Sequence, residues 1–469
     1  MPDSFMTLFP QVLNSLEAIK IPIQTVATLA EMTTRSLSLG FDLIKKAHDV
    51  GLKLANQSMS MMFPSNLKFQ QLFEIYQENI ERFYNIFKEN SLQYLDHFRK
   101  EREGELEFIN LFTEEPYPQD WTIEYDRANI LLDLPSLRLI DISSKVKHTI
   151  QNYSVVFAPR AGHHSNIAER VALFMRDHGL TRMAIVEQKC AEEVPLFVEG
   201  ERHYENFDGQ VAQYHKILQY LKERTGYAPH LIGICQPGPL LMSSLILNPD
   251  LGRTFGSAGA PMHTGGEKGL ITDFARMMGE GFVDKLITLF GKTVSEDKPG
   301  AGREAFDGRI QILGFYLAGI DQHFRNFKKL LADLKRGNEE DAQRQKDFYL
   351  WYNYVHHFPV GFIRDTHVKI FIRNELIRGE LTIVGKKIGI KDYPGFVPIW
   401  ALGGTKDDIT PPLQAIGHMN LIDSVPSQDK LTLLCDGGHM GLFRSHKILE
   451  NYYTKIIEFI LAHSDRTNN

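Results

Sequence analysis

Three residues of this chain have the types that acyl transfer needs, and each stands directly after a strand-like run. Cys235 follows the apolar stretch of His230-Leu-Ile-Gly-Ile-Cys-Gln-Pro-Gly238, where helix-compatible residues begin without a linker. That pattern predicts a sharp strand-to-helix turn, which lifts a thiol above a sheet and turns the next backbone N–H toward a reacting carbonyl. A helix N-terminus beneath the sulfur would favour thiolate over thiol. Gly233 supplies the first glycine of the usual Gly-x-Ser-x-Gly turn, but Pro237 stands in the place of the second. Alone, Cys235 carries little weight, because a free cysteine most often packs as a small hydrophobe.

The acid and the base follow in order. Val397-Pro-Ile-Trp-Ala-Leu402 reads as a buried strand and runs into Gly403-Gly-Thr-Lys-Asp-Asp-Ile-Thr-Pro-Pro412. Asp407, four residues before Pro411, has the spacing of an orienting carboxylate, with Asp408 as the alternative that pattern alone does not separate from it. Either residue is also a common turn or helix-capping type. Lys430-Leu-Thr-Leu-Leu-Cys435 reads as the next strand, and Asp436-Gly-Gly-His-Met-Gly441 places His439 in a glycine-flanked loop. With 18 histidines in the chain, one loop histidine means little by itself. The order nucleophile, acid, base, each after a strand, is the α/β-hydrolase order and not that of the two serine-protease folds. A tetrahedral oxyanion needs two donors. They are expected at the backbone N–H groups of Gln236, next to the sulfur, and of Arg160, in the Pro159-Arg-Ala-Gly-His-His164 loop.

These residues require a sheet to carry them. Ser154-Val-Val-Phe-Ala158 predicts a buried strand; helix 165–178, strand 182–187, helix 208–224, strand 230–234 and helix 237–247 follow. Phe255 to Ala260 reads as the next strand. The alternation predicts an α/β fold with a mostly parallel sheet covered on both faces. A helix-rich stretch over 262–392 reads as a lid inserted into the core, and residues 116–261 and 393–469 as the two parts of that core, closed by a helix near 445–463. Residues 1–115 read as helical, with apolar stripes through Phe5–Ile19 and Phe69–Phe87 and a Met59–Phe63 cluster. Such stripes usually pack as core faces; a surface that adsorbs to a hydrophobic particle is the sharper alternative.

Composition limits the partners. A 469-residue chain with 43% hydrophobic and 23% charged residues is a soluble globular type, and its net charge of −6 argues against nucleic acid. Three cysteines make no disulfide framework; Cys190 and Cys435 read as ordinary buried or partly buried thiols. There is no C-x-x-C pair, and His163-His164 and His356-His357 read as structural, so neither a metal nor a cofactor is expected. No signal peptide and no uninterrupted apolar window long enough to span a bilayer is found, which predicts an intracellular, cytoplasmic protein.

Further motifs carry a family resemblance. Ala158-Pro-Arg-Ala-Gly-His-His164, Ile234-Cys-Gln-Pro237, Gly259-Ala-Pro261, Pro299-Gly-Ala-Gly-Arg303, Phe348-Tyr, Tyr352-Asn353, Asp365-Thr366, Asp407-Asp-Ile409 and Gly438-His-Met-Gly441 occur in consistent order over about 150–463. In these the chain resembles the intracellular polyhydroxyalkanoate (polyhydroxybutyrate) depolymerases. The resemblance implies a Cys-His-Asp triad falling on Cys235, His439 and Asp407. It also implies amorphous poly(3-hydroxyalkanoate) as substrate and the surface of polyester storage granules as the candidate place of work. Arg160 and Gly238 stand where other residues are more usual. Polyhydroxyalkanoate synthases share the fold and the cysteine but usually carry a second glycine after it, where this chain has Gln236-Pro237. A synthase-like acyltransferase using 3-hydroxyacyl-CoA and a non-catalytic granule-coating protein remain the alternatives at this stage. Water against coenzyme A as acceptor, polymer side-chain length and homo-oligomer formation stay open.

Overall fold

The computed structural model describes residues 129–161, 166–318 and 320–467, with a few isolated positions before them. The amino-terminal stripes, the Met59–Phe63 cluster and the His163-His164 pair lie outside the described residues. The chain divides into two compact units, one of Met1–Tyr117 with Gly314–Asn353 and one of Pro118–Leu313 with Tyr354–Asn469. In the first, helices Ile320–Arg336 and Glu339–Asn353 pack together, with Tyr349 and Tyr352 buried and the Tyr316 hydroxyl donating to Asn353 Oδ1 at 2.6 Å.

The second unit is built on an eight-stranded sheet. Its strands are β1 (Ile130–Asp133), β2 (Leu137–Asp141), β3 (Ser154–Phe157), β4 (Met183–Gln188), β5 (His230–Ile234), β6 (Thr254–Ala258), β7 (Ile399–Gly404) and β8 (Lys430–Cys435). Their spatial order is β1-β2-β4-β3-β5-β6-β7-β8. β2 pairs antiparallel with β1 and β4, and every neighbour from β4 to β8 is parallel. The central strands are buried along their whole length, as parallel strands covered on both faces must be. Val155, Leu231, Phe255 and Ile399 stand in register across β3, β5, β6 and β7, and all four are fully buried. They belong to one apolar cluster with Leu218, Leu221, Leu241 and Leu245 from two covering helices. This strand order, with one reversed strand near the edge, is the α/β-hydrolase sheet, as the sequence predicts.

Helices α1 (Asn166–Asp177), α2 (Phe207–Thr225) and α3 (Pro237–Leu247) follow β3, β4 and β5. α2 begins where the Asn206 side chain accepts the Gly209 N–H at 2.9 Å, and it stops at Gly226. The predicted helix-rich stretch 262–392 also contains a three-stranded antiparallel sheet, Gly291–Thr293, Glu304–Phe306 and Phe358–Pro359. The Pro299–Arg303 motif lies in the loop joining two of those strands. There Arg303 donates to the Val194 and His203 carbonyls at 2.9 and 3.0 Å, and the Gly300 N–H donates to the Glu192 carbonyl. That motif ties loops together. Among the described residues no helix is long and apolar enough to cross a membrane.

Candidate active site

The strand-to-helix turn after β5 has the conformation its sequence predicts. Cys235 sits at φ 59°, a left-handed backbone that a side-chain-bearing residue adopts only under constraint. Its N–H donates to the Ala258 carbonyl of β6 at 2.9 Å, which fixes the turn against the neighbouring strand. Pro237 is accommodated because it opens α3, where a missing N–H costs nothing. The close approach expected of a second glycine falls one residue later: a Cβ on Gly238 would stand 2.6 Å from the Ala260 Cβ and 2.7 Å from the Met262 sulfur. The motif pattern predicts that requirement at position 237.

The loops after β7 and β8 are laced to each other. The Thr405 N–H donates to the Cys435 carbonyl at 2.9 Å and the Lys406 N–H to the Gly437 carbonyl at 3.1 Å. This lacing brings the acid and the base together. His439 Nδ1 lies 2.8 Å from Asp407 Oδ2, with both side chains buried. The other carboxylate oxygen of Asp407 accepts the N–H groups of Ile409 and Thr410 at 3.0 and 2.8 Å, so its orientation is set from both sides. Asp408 makes no contact with the imidazole of this kind, and burial, with the charge of Asp407 behind it, pushes its carboxyl up. Of the two adjacent carboxylates, Asp407 is the partner of the imidazole.

With Nδ1 committed to Asp407, Nε2 is the ring nitrogen left for the sulfur. Burial works against a charge on His439, but the charges of Asp407 and Cys235 and hydrogen bonds to both outweigh it, holding the imidazole well above its usual range. Gly259, at φ 55°, leaves room for this ring: a Cβ there would come within 3.2 Å of His439 Cε1. Cys235 is partly exposed, unlike Cys435, which is buried and whose thiol is pushed up to about 11 by that burial. Burial also raises the Cys190 thiol.

Arg160 is placed beside the turn, as expected, and its backbone N–H donates to the Gln236 side-chain Oε1 at 3.0 Å. Its side chain does something the sequence did not signal. The guanidinium is fully buried, donating to the Lys189 carbonyl at 2.9 Å, Glu205 at 3.0 Å and Gln210 at 2.9 Å, and lying 5.1 Å from the centre of the Phe362 ring. Glu205 also receives Gln213 at 2.9 Å and pairs with His203 Nε2 at 3.0 Å. Burial opposes ionisation of Glu205, but hydrogen bonding from His203 and the charge of Arg160 outweigh it and hold the carboxyl below its usual range. A buried ion pair thus anchors the loop whose N–H faces the turn. The His356-His357 pair lies elsewhere: His357 accepts the Gly308 N–H at 3.2 Å and contacts Lys292 at 2.8 Å. Among the described residues no group of three or more His, Cys, Asp or Glu is arranged to hold a metal.

Residues 259–464 match the family model described as "PHB de-polymerase C-terminus", a span that includes Asp407 and His439 but not Cys235. A sequence search of curated proteins finds no match. Among solved structures the chain is similar to a monoacylglycerol lipase from Paleococcus ferrophilus, at 14% identity over 70% of this chain and 99% of that one, with a TM-score of 0.39. It is also similar to a soluble variant of monoglyceride lipase from Saccharomyces cerevisiae, at 12% identity over 75% of this chain and 99% of that one, with a TM-score of 0.44. A thermophilic esterase from Thermogutta terrifontis gives 10% identity over 70% and 94%, with a TM-score of 0.35. The strand order, and not these distant likenesses, carries the fold assignment.

Proposed function

We propose that this chain, a member of the polyhydroxybutyrate depolymerase family within the α/β hydrolases and an ester hydrolase, cleaves amorphous poly(3-hydroxyalkanoate) through an acyl–Cys235 intermediate. The observation that carries the reading is the convergence at the sheet edge. A partly exposed cysteine on a left-handed turn faces one imidazole together with a carboxylate held by two backbone N–H groups.

In this mechanism His439 takes the proton of Cys235, and the sulfur attacks an ester carbonyl of the polymer. The developing oxyanion is held by the backbone N–H groups of Gln236, in the unpaired first turn of α3, and of Arg160. His439 then gives its proton to the departing chain, which leaves with a free hydroxyl. Water, deprotonated by His439, attacks the thioester, releases the acid and restores the thiol. Asp407 keeps Nδ1 protonated, so that Nε2 faces the sulfur in each step. The granule surface is the proposed place of action, since an insoluble polymer presents its esters only there. The test is Cys235→Ala against native, amorphous poly(3-hydroxybutyrate) granules: release of 3-hydroxybutyrate should vanish, and full release would reject the site.

A further inference from the structure

We propose that the Gln236 carboxamide is a displaceable occupant of the oxyanion position, which the substrate's carbonyl oxygen must replace before Cys235 can react. The inference rests on the reading of Cys235 as nucleophile and of the Arg160 N–H as an oxyanion donor. That N–H has one hydrogen, and it is already given to Gln236 Oε1 at 3.0 Å. It cannot serve that oxygen and a substrate oxyanion together, so one partner must leave.

The surroundings decide which. Arg160 is pinned by its fully buried guanidinium, through Lys189, Glu205, Gln210 and the Phe362 ring. Gln236 is half-buried, and among the described residues its side chain has this one hydrogen bond. It is the N-cap of α3 yet its side chain caps nothing, being turned back toward Arg160 instead. The donor is fixed and the acceptor is not. A neutral carboxamide oxygen is also the weaker acceptor, since hydrogen bonds to an ionised oxygen are roughly twice as strong. A tetrahedral oxyanion therefore displaces the carboxamide, whereas a neutral ester carbonyl competes with it on near-equal terms. The resting site is shielded by a group that imitates the substrate, and every acylation begins with an exchange.

Removing the imitator should help the reaction. Gln236→Met keeps the side-chain length without the acceptor, and Gln236→Ala removes both. With p-nitrophenyl butyrate as probe, each should raise kcat/KM by about two- to tenfold, the worth of one neutral hydrogen bond. Gln236→Glu should lower kcat/KM at neutral pH, because a carboxylate holds the Arg160 N–H more firmly and repels the oxyanion. It should regain rate as pH falls through the titration of the new carboxyl, a limb absent from wild type. If the carboxamide were instead a brace for the loop, Gln236→Met and Gln236→Ala would lower kcat/KM; that result, or no change, overturns the proposal. Thermal melting of Gln236→Met alongside wild type excludes a folding defect, and Gln236→Ala carries the measurement if one is found. Cys235→Ala assayed in parallel separates the two levels: an active Cys235→Ala defeats the site itself, whereas an inactive one beside a slowed Gln236→Met defeats only the exchange.

Discussion

Asp407 Oδ2 lies 2.8 Å from His439 Nδ1, and the carboxylate next in sequence, Asp408, does not share that contact. Substitution should separate them. Asp407→Asn keeps the shape but reverses the donor sense at Nδ1, favouring the wrong tautomer, and should lower kcat about 10²- to 10⁴-fold. Asp408→Asn should leave kcat within a few-fold of wild type. Steady-state hydrolysis of a soluble 3-hydroxybutyrate oligomer reads both. A larger loss in Asp408→Asn would mean that the acid is misassigned.

The raised pKa of His439 has a direction that pH can test. Its folded value stands above the unfolded value of about 6.5, so its contribution to stability is fully present below that pH and is lost as pH rises through the folded value. Deacylation needs the neutral imidazole as base, and with Cys235 acylated its charge no longer holds the ring up, so the deacylation rate should climb at lower pH than the free-enzyme titration. In Asp407→Asn the burial that opposes charge meets less resistance, and the midpoint should move to lower pH. An NMR titration of the His439 ring in both proteins gives the two midpoints. Coincident midpoints would show that Asp407 does not set the charge of the imidazole.

The sheet and its three chemistry-bearing loops were legible because the core strands are short, largely apolar runs, and the three that carry Cys235, Asp407 and His439 end at reactive or glycine-rich loops. The sequence predicts 230–234 and 237–247 for β5 and α3, and the structure has those bounds. What stayed hidden depended on partners distant in sequence. Nothing near Glu205 announces that it meets Arg160, 45 residues away, or that Gln210 completes the set from the first turns of α2. The strands at 291–293, 304–306 and 358–359 are two or three residues long, too short for alternation to register. The choice between Asp407 and Asp408 turns on loop geometry, to which spacing is blind.

The Arg160–Glu205 pair, both side chains wholly buried, should be costly to break and cheaper to remove entirely. Arg160→Met alone leaves the buried Glu205 carboxylate with only His203 and Gln213 as partners and should destabilise the protein by about 3–5 kcal/mol. Adding Glu205→Gln removes that buried charge and should recover much of the loss in a denaturant titration. Activity should recover less, because the loop carrying the Arg160 N–H still lacks its anchor at Lys189 and Gln210. Equal recovery of stability and kcat would deny the guanidinium any positioning role.

The contact at Gly238 offers a test with a built-in repair. Gly238→Ala places a Cβ 2.6 Å from Ala260 Cβ and 2.7 Å from Met262 Sδ. The methionine sulfur sits toward the end of a flexible side chain and can move, but the Ala260 Cβ is fixed to the backbone just after β6. Overpacking of this kind costs about 1–3 kcal/mol, and it should also shift α3 and with it the Cys235 turn. Hydrolysis should therefore fall further than the loss of stability alone explains. Ala260→Gly in the same chain removes the immovable contact while leaving Met262 to yield. If α3 is held at its working distance from β6 by this contact, the double variant regains both melting temperature and rate. If the rate stays low while stability returns, the turn depends on Gly238 for a reason other than space.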